Sequence, residues 1–321
     1  MIIDHYGRQF RNLRLSLTAA CNYACTYCVP DGKRLMPAKH ELDGEQMLSL
    51  VELLKSVAGL TKLRITGGEP LLSPKFDMLL PGIMALGFED VSLTTNGQLV
   101  PRKLEVIAQS GIRRINVSLD TLDPNHFRDI ARSGDLATVL EGIDMLLDLG
   151  IRIKVNMVPM RGQNEDQILP LLEYCLQRDI ELRFIELMNM GHLKQSGQYG
   201  EQFFGMQDIL SLIESQYSIS PAPAPFDSTA VRYEIDGQGT FGIIANESAP
   251  FCRTCTRLRL SSNGKLFGCL SNAKSYDLTD LLSLPEALAV AKLQRHLGLA
   301  LADKQDLAFQ GEVTVMKFIG G

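Results

Sequence analysis

The sequence lacks any hydrophobic run long enough to cross a bilayer: its longest apolar stretches, such as residues 53–60, are interrupted by Lys55, Ser56 and Gly59. A spanning helix needs about 20 consecutive apolar residues. An apolar signal core is also missing, because the first 14 residues carry Asp4, His5, Arg8 and Arg11. A cytoplasmic protein is therefore expected. Positive charge is not in excess. Lys and Arg number 32 against 37 Asp and Glu, a net charge of −5, which argues against a nucleic-acid protein held by bulk charge and leaves any anionic ligand to a local basic pocket. A disulfide framework is not expected either. Seven cysteines, at 21, 25, 28, 175, 252, 255 and 269, form an odd set, and two groups of three plus one stray point to metal.

What is present fits an ordinary globular composition, 321 residues with 45% hydrophobic and 21% charged, enough for one large domain and a smaller one. From residue 13 to about 190, β-branched runs alternate with stretches of helical period. Strands are expected at 13–18, 63–66, 91–95, 115–119, 153–158 and 182–187, and helices at 44–57, 103–109, 138–149 and 165–177. Gly111 and Gly150 stand where helices stop, and Pro124 where one begins. Repeated strand–helix units require parallel pairing with right-handed crossovers, hence an α/β fold, either a doubly wound sheet or an incomplete (β/α)6 barrel. Polar residues gather at the strand ends, at 66–69, 94–97, 118–120 and 186–188. That edge is where both architectures bind ligands. The proline-rich stretch 221–225 reads as a stiff linker, dividing a barrel at 1–220 from a C-terminal region at 221–321. After it come strands at 231–235, 240–245, 257–260 and 265–269, with Asn263-Gly264 as a turn, and a helix near 285–297.

Cys21, Cys25 and Cys28 follow the first strand with the spacing C-x3-C-x2-C. Three thiolates this close can each hold one iron of a 4Fe-4S cube, leaving the fourth iron open to an amine and carboxylate such as the methionine end of S-adenosylmethionine. Structural zinc is the alternative, with His40 as the nearest fourth ligand. The stretch 13–28, LRLSLTAACNYACTYC, together with 64–70, RITGGEP, resembles the motif pair of the radical S-adenosylmethionine superfamily. The resemblance implies a partial barrel and reductive cleavage of S-adenosylmethionine to a 5′-deoxyadenosyl radical, with Tyr27 along the adenine.

Cys252, Cys255 and Cys269 form a second triad, for which a second cluster competes with a zinc site completed by His296. Arg257 and Arg259 alternate along the adjoining strand and share a face, an arrangement suited to oxyanions. The stretch 252–269, CRTCTRLRLSSNGKLFGC, with TTNG at 94–97, INVSLD at 115–120, KVN at 154–156, RFIELM at 183–188 and the terminal Gly320-Gly321, resembles the GTP 3′,8-cyclase family of molybdenum cofactor biosynthesis.

That resemblance implies GTP as substrate, a lyase joining ribose C3′ to guanine C8, and two [4Fe-4S] clusters with S-adenosylmethionine as cofactors. By it, Arg14, Arg64, Thr94, Lys154, Arg183, Arg257, Leu258 and Arg259 contact GTP, and Tyr27, Gly68, Ser118 and Met188 contact S-adenosylmethionine. Gly320 and Gly321 join Arg257 and Arg259 in the catalytic set. The implied partners are a flavodoxin- or ferredoxin-type electron donor and cyclic pyranopterin monophosphate synthase as the next enzyme, with no nucleic acid and no membrane; a homodimer is left open. Ala19-Ala20 departs from the pattern, since relatives often carry polar residues there. Two further readings stand beside this one: a radical S-adenosylmethionine peptide-modifying enzyme, and a non-catalytic metal scaffold. Cys175 is expected to be buried apolar filling, Glu69 to turn outward or hold its loop, and Asp120 and Asp123 to cap the helix at Pro124.

Overall fold

The computed structural model describes residues 2–225 and 228–306. Strand and helix alternate through β1 (Asn12–Ser16), α1 (Gly44–Ala58), β2 (Lys62–Thr66), α2 (Phe76–Ala85), β3 (Asp90–Thr95), α3 (Val100–Ser110), β4 (Arg114–Ser118), α4 (Pro124–Ala131), α5 (Leu136–Asp148), β5 (Arg152–Met157), α6 (Ile168–Leu176) and β6 (Glu181–Ile185). Then follow α7 (Gly191–Ser196), α8 (Tyr199–Gln202), α9 (Met206–Glu214), β7 (Ile219–Ala222), β8 (Val231–Ile235), β9 (Gly239–Ile244), β10 (Arg257–Leu260), β11 (Lys265–Phe267), β12 (Tyr276–Asp277) and α10 (Glu286–Ala302). Among the described residues no helix is long and apolar enough to cross a membrane.

All described strands join one sheet, in the order β12-β11-β10-β1-β2-β3-β4-β5-β6-β9-β8-β7. The run from β10 through β1–β6 to β9 is parallel throughout. The expected barrel strands are therefore present, and the C-terminal hairpins extend them at both edges, β10–β11 beside β1 and β8–β9 beside β6. Pro221 and Ala222, expected to open a spacer, instead end edge strand β7. An edge strand tolerates proline because the lost N–H faces no neighbour.

Apolar residues recur at alternate positions along β1 to β6. Leu13, Leu15, Leu63, Ile65, Leu93, Ile115, Val117, Val155, Leu182, Phe184, Phe241 and Ile243 are buried in the main core. On β1 to β6 the residues between them are polar. Helices cover the apolar face, as α1 does with Met47, Leu50, Val51 and Leu54. Its start is fixed by a capping box between Asp43 and Gln46, and its end by Gly59 at φ 67°. In barrels whose interior is filled with side chains both strand faces are apolar; here the inner face is left polar, which keeps the interior open.

Candidate active site

Register brings the interior side chains into rungs. Arg259 pairs with Arg14, Arg14 with Arg64, and Arg64 with Ser92, so three guanidiniums lie side by side on neighbouring strands. Farther round, Asn116 pairs with Lys154 and Asn156 with Arg183. Burial and then the fields of Arg259, Arg64 and Arg257 hold Arg14 well below its ordinary value. The same combination, burial first, draws Arg64 down to about 9 and Arg259 to about 10. These cations repel one another and call for an anion. Lys154 and Arg114, by contrast, are neutralised within the protein, by Glu181 at 2.6 Å and Asp90 at 2.5 Å. Arg183 donates to Asn116 Oδ1 at 2.5 Å, but its Nε and the Oδ1 of Asn156 are buried with no partner. Asn156 lines one cavity and Arg183 a second that adjoins it.

The first triad sits on the loop leaving β1. That loop is held by the backbone that follows β2: Gly68 N donates to Thr18 O and Glu69 N to Ala20 O, both at 2.8 Å. A Cβ on Gly68 would meet Ala20 O at 2.2 Å and Ala19 O at 2.6 Å. Glu69, buried as an anchor rather than turned outward, accepts from Leu71 N (3.0 Å), Thr95 Oγ1 (2.8 Å) and Asn96 N (2.7 Å). Burial nevertheless pushes its carboxyl up to about 7.

Burial is also the main force on the thiols, raising Cys21 to about 11 and Cys28 to about 12, with Cys21 adding to the latter. Cys28 is open to the cavity although protein surrounds it. Such thiols are stabilised as thiolates by a cationic metal group, and soft sulfur suits iron. All seven cysteines are free. Among the described residues no group of three or more His, Cys, Asp or Glu is arranged as a single-ion site; a cluster asks for something different, one thiolate per iron.

The second triad is built from the turn at Cys252–Thr254, the following Cys255, and Cys269 just past β11. Burial opposes ionisation of Cys255, yet Arg257 and Lys304 overcome it and hold the thiol well below its ordinary value. Cys252 is instead pushed up to about 11 by burial, Cys269 and Cys255. Arg257 stacks over Phe251 at 4.4 Å, which fixes its direction.

Both triads line one cavity of about 530 Å³, together with Arg14, Tyr27, Gly68, Thr94, Ser118, Met188, Arg257 and Arg259. A second cavity of about 730 Å³ adjoins it at Arg14, Thr229 and Arg257 and carries Arg64, Lys154 and Arg183. Residues from both ends of the parallel run, Ile244 and Arg257, face the same space, so the sheet is curled. One expectation is narrowed and one corrected. Leu258 alternates away from Arg257 and Arg259 and is fully buried in the apolar core, so contact with the cavity is left to its main chain. Asp123 caps α4, accepting from Asn125 N and His126 N, but Asp120 does not. Asp120 accepts from Tyr27 Oη (2.9 Å) and Val158 N (2.8 Å), and burial lifts it to about 6. It thereby orients Tyr27. Gly320 and Gly321 lie outside the described residues. His296 stacks on Tyr276.

Sequence reasoning missed Glu41 and Lys304. Glu41 Oε1 accepts from Thr18 Oγ1, Ala19 N, Ala38 N and Ser262 Oγ. It supplies the polar hold that Ala19-Ala20 cannot.

Compared with known proteins, residues 15–175 match the family model of the radical SAM superfamily and residues 180–309 that of Molybdenum Cofactor Synthesis C. The GTP 3′,8-cyclase of Staphylococcus epidermidis (strain RP62A) is 38% identical over 292 residues, 88% of this chain and 85% of that protein. That of Staphylococcus aureus (strain bovine RF122) is 40% identical over 278 residues, 84% of this chain and 81% of that one. The chain belongs to the GTP 3′,8-cyclase family of radical S-adenosylmethionine proteins. Among solved structures, Streptococcus suis SuiB bound to precursor peptide SuiA superposes with a TM-score of 0.62 at 17% identity, covering 85% of this chain and 63% of SuiB. This chain thus spans less than two thirds of SuiB, and the likeness is one of fold. Membership of the radical SAM superfamily implies a [4Fe-4S] cluster and S-adenosylmethionine.

Proposed function

We infer that this chain is a radical S-adenosylmethionine enzyme that cyclises GTP, joining C3′ to C8 to give 3′,8-cyclo-7,8-dihydroguanosine 5′-triphosphate, the first step toward the molybdenum cofactor. The observation that carries the reading is the single cavity on which both cysteine triads and Arg14, Arg257 and Arg259 open. Cys21, Cys25 and Cys28 hold the first cluster, with Tyr27, Gly68, Ser118 and Met188 around S-adenosylmethionine. Cys252, Cys255 and Cys269 hold a second cluster, and the guanine end of GTP lies toward it. Arg14, Arg64, Thr94, Lys154, Arg183, Arg257 and Arg259 receive the nucleotide. Cys21, Cys25 and Cys28 would hold the cluster which, with S-adenosylmethionine bound, would supply the chemistry of hydrogen-atom abstraction.

The chain's own residues do the rest. Since hydrogen-atom transfer develops little charge, their contribution is positioning and exclusion of water. The triphosphate brings about four negative charges to cations that repel when unpaired, so binding energy is gained far from the reacting carbons and serves to fix them. The segment before residue 221 provides the radical site and the segment after it the second cluster, the two meeting where β10 joins β1.

Anaerobic reconstitution tests the reading: about eight irons per chain and little zinc are expected. Reduced enzyme with S-adenosylmethionine should form 5′-deoxyadenosine with GTP and not with ATP. Equal formation with both nucleotides, or with neither, overturns the assignment.

A further inference from the structure

Lys304 follows α10 and is 5% exposed, the one buried lysine among the described residues. Its Nζ donates to Cys255 Sγ at 3.2 Å, to Arg257 O at 2.9 Å and to Gly268 O at 2.8 Å. These three bonds use all the protons of an ammonium. Among the described residues no carboxylate forms an ion pair with it. A buried ammonium needs a compensating negative group, and here the sulfur of Cys255 is what it faces.

The surroundings deliver Lys304 to that point. Gly268 lets the end of α10 seat on its backbone, because a Cβ there would lie 1.7 Å from Ala300 O. The three acceptors belong to both arms of the triad, Cys255 with Arg257 on one side and Gly268, next to Cys269, on the other. Arg8 ties in the remaining arm, donating to Cys252 O at 3.0 Å and Gln305 O at 2.7 Å.

We propose that Lys304 is a positioning residue of the second iron–sulfur centre, which holds the Cys255 and Cys269 arms at their spacing and sets the reduction potential through an N–H···S bond and a fixed positive charge on Cys255. The inference rests on the reading of Cys252, Cys255 and Cys269 as cluster ligands. Hydrogen bonds to sulfur and net positive charge both favour the reduced form of such a centre.

The test uses the full chain with Cys21, Cys25 and Cys28 replaced by alanine, so that only the second centre is observed. Iron is counted and the midpoint potential is followed by electron paramagnetic resonance, with Lys304→Met, Lys304→Gln and Lys304→Arg compared in that background. If the parent holds no iron, the second-cluster reading fails before Lys304 is tested. With a loaded parent, Met and Gln should shift the reduction equilibrium at least tenfold toward the oxidised form, 59 mV for one electron, and Arg should recover most of it. Loss of iron in Met and Gln with unchanged thermal midpoint and recovery by Arg supports the same role. A loaded Met variant at the parent's potential overturns the proposal, as does loss of iron accompanied by unfolding in all three variants.

Discussion

Arg14 on β1 and Arg259 on β10, drawn from opposite ends of the chain, sit side by side across a parallel strand pair. The contact joins the first strand of the barrel to the strand that follows Cys252 and Cys255. It concentrates charge that neither segment would carry alone. The consequence is a row of three neighbouring guanidiniums, Arg259, Arg14 and Arg64, that is complete only once the C-terminal hairpin has docked.

Arg259→Ala should weaken GTP binding about 10- to 100-fold, the scale of one lost charge-assisted contact. Guanosine affinity should hardly change, and Arg259→Lys should restore only part of the loss, since an ammonium cannot reproduce the guanidinium fork. Anaerobic calorimetry with both ligands checks this. An equal loss for guanosine would mean that Arg259 faces the base instead.

Gly68→Ala should strip iron from the first triad. The added methyl would fall on the carbonyls of Ala19 and Ala20, backbone atoms that cannot move without displacing Cys21. Iron per chain should drop by about half if the second triad holds a cluster of the same size, with 5′-deoxyadenosine formation lost. Full iron content would show that the loop relaxes around the methyl.

The barrel was legible because its local signals agree. Alternation marked β1 to β6 within two residues at each end, and Gly111 and Gly150 stopped helices as the αL conformation or a tight turn requires. Helix α2 was not anticipated, since Pro81 and Gly82 interrupt a period that packing of Phe76, Leu79, Leu80 and Ile83 restores. The hairpins at 231–244 and 257–267 were readable as strands, but not their pairing to opposite edges, which depends on contacts distant in sequence. The cysteine triads announced themselves by spacing. Glu41 and Lys304 did not, because each acts through groups brought together only by the fold. One signal was available: charged or polar residues at every second position of strands that should be buried on both faces, as in β1, β2, β5 and β6.

Glu41→Ala should lower stability by about 2 kcal/mol by leaving the donors of Ala19, Ala38 and their neighbours unmet, and should speed loss of the first cluster in air. Glu41→Gln keeps one acceptor oxygen and should be milder. Burial raises the Glu41 carboxyl, but the bonds from Ala19, Ala38 and Ser262 outweigh it and the net shift is downward. A carboxylate lowered by folding stabilises the native state above its unfolded value, near 4.5, and that contribution is lost as pH falls through the folded value. Acid unfolding of wild type and Glu41→Gln should therefore converge at the acid end, and a constant gap through that range would contradict the assignment.

Inorganic triphosphate should raise the thermal midpoint of the holoenzyme, because it neutralises cations that otherwise repel in a buried site. At 100 times its dissociation constant a ligand specific to the folded state adds about 2.7 kcal/mol, which for a chain of this size corresponds to several degrees. Arg14→Ala should act with opposite signs in the two states. Without ligand it removes one of the mutually repelling guanidiniums and should raise the midpoint; with triphosphate it should lose much of the shift. That crossing separates a residue kept for binding from one kept for packing, since truncating a packing residue would lower the midpoint in both conditions.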